Sequence, residues 1–458
     1  MVHKKFIEIV EHITKGIAIP KCYVDDIVRL NFDFGKNAPI TNITFNKTVI
    51  IEFPSTDHDI TFITCIFNAP FYFQGKCNLK DFGFFDCKFN SSVSIDNVSA
   101  VKFEIAECFL KRGLHSHSLS AETLRLELLT SESSKFNFFK PHLSNCFISK
   151  IKDGSEFMFS SFDEKTTQDD TSFITALSIR NEPDFTGEVL FHSLLINTIS
   201  LSGYNKSGRI NFQSVTVGSV NCQHFTNLGF MSVYSLKVQL PAIMYLYNSS
   251  FGKCEIFDIN FKLFNSIVIS NSGIQEILAT NIVWCEEVQA NVIESTNSLT
   301  LTHQRESYRQ LKNIMIRNND KVEELKYHAL EMDTYHKYLK NKRGNFEEKF
   351  IIQTNKLSNN HGLSWGRAIL WILGISIVIF NLNKILLGYN SFDINLFWKD
   401  IANWILSINP VRKFNDVYTE YRTGWQSNLA FFLDVFVRII YSYLIFQFIS
   451  AFRKYVKK

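Results

Sequence analysis

The chain has 458 residues, with 48 Lys and Arg against 44 Asp and Glu, a formal charge of +4. So small a balance gives no electrostatic case for nucleic acid, whose phosphates require a basic face. The length leaves room for two or more domains with a large core, and 44 Phe with only 19 Gly and 8 Pro excludes a disordered or fibrous chain.

Residues 1–40 are expected to form an N-terminal cap. Met1 to Pro20 scatters Lys4, Lys5, Glu8 and Glu11 among its apolar residues, leaving no uninterrupted apolar core for a secretory signal. The nine cysteines are odd in number and form no C-x-x-C pair. Without an export signal they read as reduced thiols, most of them packed in a core on the cytoplasmic side.

Residues 41–298 are a series of short β-rich runs separated by Asn, Ser, Asp and Gly. The runs echo one another. Thr64-Cys-Ile-Phe-Asn68 returns as Asp86-Cys-Lys-Phe-Asn90 and more loosely as Glu107-Cys-Phe-Leu110, so that Cys65, Cys87 and Cys108 fall 22 and 21 residues apart. Asn248-Ser-Ser-Phe-Gly252 is followed 23 residues later by Asn271-Ser-Gly-Ile274. A period near 22 suits one rung of a parallel β-helix, in which equivalent residues stack from coil to coil. Alternating runs such as Ile43-Thr-Phe45 and Val93-Ser-Ile95 bury one face of a short strand, and small thiols suit inward stacks. An antiparallel sandwich with coincidental cysteine spacing is the competing reading, since the repeats fade between Leu119 and Tyr204.

Three stretches have the residue types of a chemical site. His115-Ser-His117 has chelating spacing on a strand, but no further ligand cluster adjoins it in sequence, and it reads as a solvated face. Asp57-His58-Asp59 follows Pro54 and Ser55 and reads as a turn, while Asp169-Asp170 falls in the polar run Glu164 to Thr171, an insertion loop. No stripe of carboxylates repeats along the runs. Neither catalysis nor a metal or cofactor is therefore expected.

Residues 299–345 change texture. Tyr308, Leu311, Ile314 and Met315 keep helical spacing, as do Val322, Leu325, Ala329 and Met332, and Asn318-Asn319-Asp320 offers a break with a new N-cap. The result is a helical hairpin, serving as a cap over the open end of the repeats or as a coupling or oligomerisation surface. Glu306-Ser-Tyr-Arg-Gln-Leu-Lys312, Asp320 and Glu324-Leu-Lys-Tyr-His-Ala-Leu-Glu-Met332 resemble the helix pair that follows the repeats in a group of bacterial pentapeptide-repeat membrane proteins. The resemblance covers residues 300 to 458, and the repeat half only in texture. It implies a two-helix, ion-channel-like module after the pair. Residues 346–364, with Glu347, Glu348, Lys349 and Lys356, are expected as a polar linker.

Residues 365–387 and 429–452 are each apolar and long enough to cross a hydrocarbon layer of roughly 30 Å. Trp365 and Trp371 on the first span, and Trp398 and Trp404 beyond it, suit a headgroup boundary as interfacial anchors. The tail 453–458 carries Arg453, Lys454, Lys457 and Lys458, and is cytoplasmic by the positive-inside rule. Two spans then put both termini in the cytoplasm of a cell whose inner membrane holds the protein. Within the second span Asp434 and Arg438 stand four residues apart on one face, with Tyr441 beside them and Ser442 at the edge. They form either a self-neutralising pair that fixes helix rotation or a polar stripe at a pore or subunit contact. Between the spans, 388–428 holds an amphipathic stretch, Ile394 to Ile408, closed by Asn409-Pro410, that lies on the bilayer or dips into it. In the resembling proteins a pore helix and potassium filter can stand here. Thr423-Gly-Trp-Gln-Ser427 lacks the second glycine of such a filter, so a pore would select weakly among ions.

The sequence thus reads as mainly β: an irregular parallel β-helix (solenoid), a helical hairpin and two transmembrane helices. Its expected partners are the lipid bilayer, further copies of itself and a cytoplasmic protein docked on the solenoid. The function expected is a solenoid sensor controlling a channel-like module, with a non-conducting membrane-anchored scaffold as the alternative.

Overall fold

In a parallel β-helix each strand hydrogen-bonds to the equivalent strand one coil earlier and one coil later, and the first part of the chain is built this way. The computed structural model describes residues 2–3, 8, 11, 21–30, 39–52, 59–131, 135–150, 155–161, 172–181, 186–288, 297–340, 342, 345–388, 397–418 and 424–452. The chain divides into two units, Met1–Glu294 and Ser295–Lys458.

The first unit is a solenoid of three sheets with seven, eleven and twelve described strands. Neighbouring strands pair in parallel, as Cys77–Phe85 does with Val98–Ala106, matching Phe82 to Phe103 and Phe84 to Ile105. Parallel pairing excludes the antiparallel sandwich. The ladder also starts earlier than the texture suggests. Cys22–Val24 pairs with Ile43–Phe45, and Val28–Leu30 with Val49–Ile51, so part of the expected cap is already solenoid.

Three kinds of stack hold the coils in register. Inside, Phe67 lies flat between Phe45 and Phe89 with ring centroids 5.0 and 4.6 Å apart, and Phe138, Phe159, Phe191 and Phe212 stack in a second column. Cys65, Cys87 and Cys108 occupy one buried column, each thiol 3.3 to 3.5 Å from a carbonyl of the preceding coil. All nine cysteines are buried and free, and burial pushes the Cys254 thiol up to about 12. Outside, Asn46 donates to Asp25, Asn68 to Asn46 and Asn90 to Asn68, at 2.6 to 2.7 Å. Lys111 holds the next position, where the run of asparagines ends.

One corner repeats the same backbone twist. Asn42, Thr64, Asp86, Glu107, Leu128 and Lys150 all have φ between 51° and 58°. The left-handed conformation costs a non-glycine residue about 1–2 kcal/mol. The N–H of each corner from Thr64 to Leu128 bonds the carbonyl at the end of the next strand, which offsets that penalty. The fading of the repeats after Leu119 has a simple cause. Pairing continues in the eleven- and twelve-stranded sheets, while the described strands of the third end at Thr130–Ser131. His142 meets Phe173, 31 residues on, whereas Phe173 meets Leu195 after the usual 22. The polar run Glu164 to Thr171, lying outside the described residues, falls inside that longer coil.

In the second unit, α1 (Asn297–Arg317) and α2 (Lys321–Lys340) form the expected hairpin. Asn319 takes φ 56°, and the Asp320 carboxylate accepts from the Glu323 N–H at 3.1 Å, so the break and the cap fall where the sequence puts them. Tyr308, Leu311, Ile314 and Tyr327 are buried in the hairpin, and Lys312 meets the buried Glu331 at 2.6 Å. Phe346–Asn359, expected as a polar linker, is instead a helix, α3. It contains neither Pro nor Gly, and Ile352, Asn355 and Asn359 turn one face inward at helical spacing. Then come α4 (Trp365–Leu387), α5 (Phe397–Ser407) and α6 (Trp425–Phe452).

Phe67→Ala should lower the unfolding free energy of the solenoid by about 3–5 kcal/mol, whereas Asn68→Ala should cost about 1 kcal/mol; urea titration followed by the β-sheet circular dichroism signal measures both. A second expectation concerns acid. Burial raises the Glu331 carboxyl, but the His328 hydrogen bond and the Lys312 ammonium outweigh it and hold the group below its ordinary value. Its stabilising contribution is therefore present above the unfolded value of about 4.3 and is lost as pH falls through the lower folded value. Glu331→Gln should flatten the loss of hairpin stability over that window, read by helix thermal melts at successive pH values.

Candidate functional site

Helices α4 and α6 are apolar over 23 and 28 residues, long enough to cross a bilayer. They run antiparallel, with Trp365 at the start of α4 set edge-on against Phe448 and Phe452 at the end of α6. Their outward faces carry exposed apolar side chains such as Leu370, Val378, Phe432 and Ile439. The polar residues turn inward. Ser376 and Asn383 on α4, and Asp434, Tyr441 and Gln447 on α6, are all buried.

The segment between these helices folds back against them. Lys384 near the end of α4 binds Asp400 on the first turn of α5 at 2.6 Å, and the Trp404 indole donates to the Ser376 hydroxyl at 3.0 Å. Ser376 lies eleven residues before Leu387, or about 16 Å along the helix axis. Thus α5 packs beside α4 as far as the middle of that helix. The chain then returns, and Phe414, Val417 and Tyr418 pack with Phe380, Leu387 and Ala430 into one cluster. Asn383 donates to the Tyr418 hydroxyl at 3.3 Å. The stretch expected to lie on the bilayer or dip into it is packed on α4 through Trp404 and Lys384.

What holds the returning strand is a shared charge. The Asp434 carboxylate, 1% exposed, accepts a short bond from Arg412 on the return and meets Arg438 at 3.1 Å. The other Arg438 nitrogen donates to the Arg412 carbonyl at 2.8 Å. Asp434, Arg438 and Tyr441 therefore gather on one buried face, as their spacing requires. Ser442 does not join them; it is exposed and donates to the Arg438 carbonyl one turn back. Arg412 was missed by sequence reasoning. Its only signal was a cation just past Asn409-Pro410, in a polar stretch that resembles any surface turn.

The tryptophans separate into two groups. Trp365, Trp371 and Trp398 are exposed. Trp404 instead packs inward on Ser376, since a buried indole N–H requires an acceptor. Trp425, exposed at the start of α6, joins the exposed group. At the opposite end of α6 a polar knot fastens α3. Asn359 donates to both the Gln447 carbonyl and its side-chain oxygen, while the Gln447 amide and the Tyr443 hydroxyl converge on Asn355 at 3.0 and 2.7 Å.

On the solenoid, His115 and His117 share the outward face while Ser116 points into the core, and among the described residues no three His, Cys, Asp or Glu side chains gather as a metal site. Asp59 lies 3.7 Å from Lys80, and Asp57, His58, Asp169 and Asp170 lie outside the described residues. A charged groove of about 560 Å³ crosses the outward side of four successive strands. Lys102, Arg125, Lys150 and Arg180 line it together with Glu127, and Glu104 lies buried between Lys102 and Arg125. Burial raises the Glu127 carboxyl, but Arg125 and Lys150 outweigh it and keep the group ionised. The two carboxylates are thus held by cations rather than set facing each other.

Among known proteins, no family model, curated protein or solved structure matches the chain.

Removing Asp434 strands two guanidinium groups, whereas removing Arg412 leaves the neutral Asp434–Arg438 pair. Asp434→Asn should therefore destabilise the helical unit by about 3–5 kcal/mol, and Arg412→Met by clearly less. SDS titration of the full-length protein in mixed micelles, read by helical circular dichroism, measures the difference.

Proposed function

We propose that this chain is a membrane-anchored solenoid protein whose two-span unit assembles with further copies into a weakly selective, ion-conducting module under control of the solenoid. One observation carries the reading. The returning segment turns Arg412, Phe414 and Val417 toward the helices, with Phe414 against Phe431 of α6. It leaves Val411, Lys413, Asn415 and Asp416 exposed, so in this reading polar groups stand beside the spans. Polar backbone and charge are tolerated there when they face water or protein, and a central water-filled path between copies supplies it. The resemblance of the hairpin sequence to pentapeptide-repeat membrane proteins with a channel-like module agrees with this assignment. Asp434 and Arg438 then position the pore segment from behind, and Lys413, Asn415 and Asp416 line it. Both termini lie in the cytoplasm of the inner membrane. The groove over Arg125 and Arg180 belongs to the side surface on which a cytoplasmic protein partner docks.

The runner-up is a non-conducting, membrane-anchored scaffold. It is favoured by the pairing of the buried charges within a single chain, Asp434 with both Arg412 and Arg438, which leaves the outer faces of both spans apolar.

Single-channel recording of the full-length protein in planar bilayers distinguishes them. A conducting module predicts that Lys413→Gln and Asp416→Asn change conductance and cation-to-anion preference in opposite directions, while Asp434→Asn lowers the number of active channels without changing unit conductance. Silence from protein that is shown by crosslinking to be assembled would leave the scaffold.

A further inference from the structure

Helix α3 has an unpartnered face, and that face is apolar. Ile352, Asn355 and Asn359 turn toward the rest of the unit, where Asn355 and Asn359 grip Gln447. On the opposite side Phe346, Phe350 and Leu357, at helical positions i, i+4 and i+11, are 79%, 58% and 52% exposed. Large aromatic side chains left in water on a helix whose other face is already satisfied point to a further contact.

The position of the helix decides which contact. Only five residues separate Asn359 from Trp365, the first residue of α4. The Trp371 indole donates to the Leu357 carbonyl at 3.1 Å, so the end of α3 is joined to the first turns of the span. From that junction an apolar groove of about 560 Å³ runs down the outward side of α4, past Leu370, Gly374 and Val378, with Arg367 at its upper end. A side chain built at Gly374 would meet nothing. The exposed face of α3 is thus continuous with the surface that α4 presents to acyl chains. Lys349 borders the aromatic stripe and, with Arg367, places positive charge at headgroup level.

We infer that α3 lies in the phospholipid headgroup layer as a surface helix, with Phe346, Phe350 and Leu357 turned into the acyl boundary and Arg367 beside the lipid phosphates. Amphipathic helices of this kind sink their apolar face roughly 5–10 Å into the interface. The inference rests on reading α4 and α6 as membrane spans, and the test separates the two.

Benzoylphenylalanine placed singly at Phe346, Phe350, Leu357, Ile352 or Ile439 in the full-length protein, reconstituted in vesicles of phosphatidylethanolamine and phosphatidylglycerol, reports its neighbours after illumination. Mass spectrometry should find phospholipid adducts from Phe346, Phe350 and Leu357 and none from the buried Ile352. Ile439, exposed on α6, should also capture lipid. Lipid capture at Ile439 but not on α3 would overturn the surface helix and leave the spans in place. Capture at neither would remove the membrane reading itself. Covalent dimers from the α3 positions in place of lipid adducts would assign that face to a second copy of the chain and refute the inference.

Discussion

A carboxylate shared by two guanidinium groups, buried against two long apolar helices, limits every other choice in the helical unit. Moving any one of these ions from water into such surroundings costs several kcal/mol, and their mutual attraction offsets that cost only with close geometry. The Asp434 carboxylate therefore has to receive Arg412 and Arg438 together. Arg438 is already on the same helix, one turn away. Arg412 is not, and bringing it there requires the chain between α4 and α6 to fold back against the helices. The Trp404–Ser376 bond of α5 and the burial of Phe414 and Tyr418 accompany that requirement. One extra positive charge remains in the cluster, and the Arg412 carbonyl on Arg438 partly screens it.

The solenoid answers the same constraint mainly through its backbone amides, for which each coil supplies the partners of the next. Buried side chains such as Asn205 and Asn227 bond across coils, and Glu104 is held by Lys102 and Arg125. Side-chain columns then make the register specific, because a slip of one residue would point Phe67 outward and Asn68 inward. The aromatic columns give apolar burial and the asparagine ladder gives alignment, so the same few residue types serve coil after coil. The departures are equally physical. A coil of 31 residues is tolerated with the strands it joins still in register, His142 to Ser149 against Phe173 to Arg180.

Much of this was legible in the sequence, and the exceptions share one property. Cys65, Cys87 and Cys108 announced the coil length because a buried column must be filled at every turn. Asp434 and Arg438 announced their pairing because helical geometry places i and i+4 together. Arg412 gave no comparable sign, since its partner is 22 residues away on another helix and no periodicity relates the two. Residues 346–359 were obscured by charge: Glu347, Glu348, Lys349 and Lys356 outweigh the spacing of Phe346, Phe350 and Ile352 when composition is read without the wheel. Cys22 to Leu30 was hidden differently. Two short strands of a single coil carry too little repetition to stand out, although Asp25 already occupies the ladder position that Asn46, Asn68 and Asn90 fill later. What sequence missed was therefore contact between distant segments, and what it found was local recurrence.

The parallel register of the first unit has a consequence for biosynthesis. Each coil touches only its neighbours, so a coil leaving the ribosome finds its docking surface already complete on the preceding one. No strand has to wait for a distant partner still to be translated. Exposed edges are limited at any moment to the newest coil, which the next one covers within seconds at ordinary elongation rates. The long apolar helices emerge after the last strand. Vectorial synthesis thus completes the β-structure before the first long apolar helix appears, so unpaired strands and exposed apolar helices do not compete for one another.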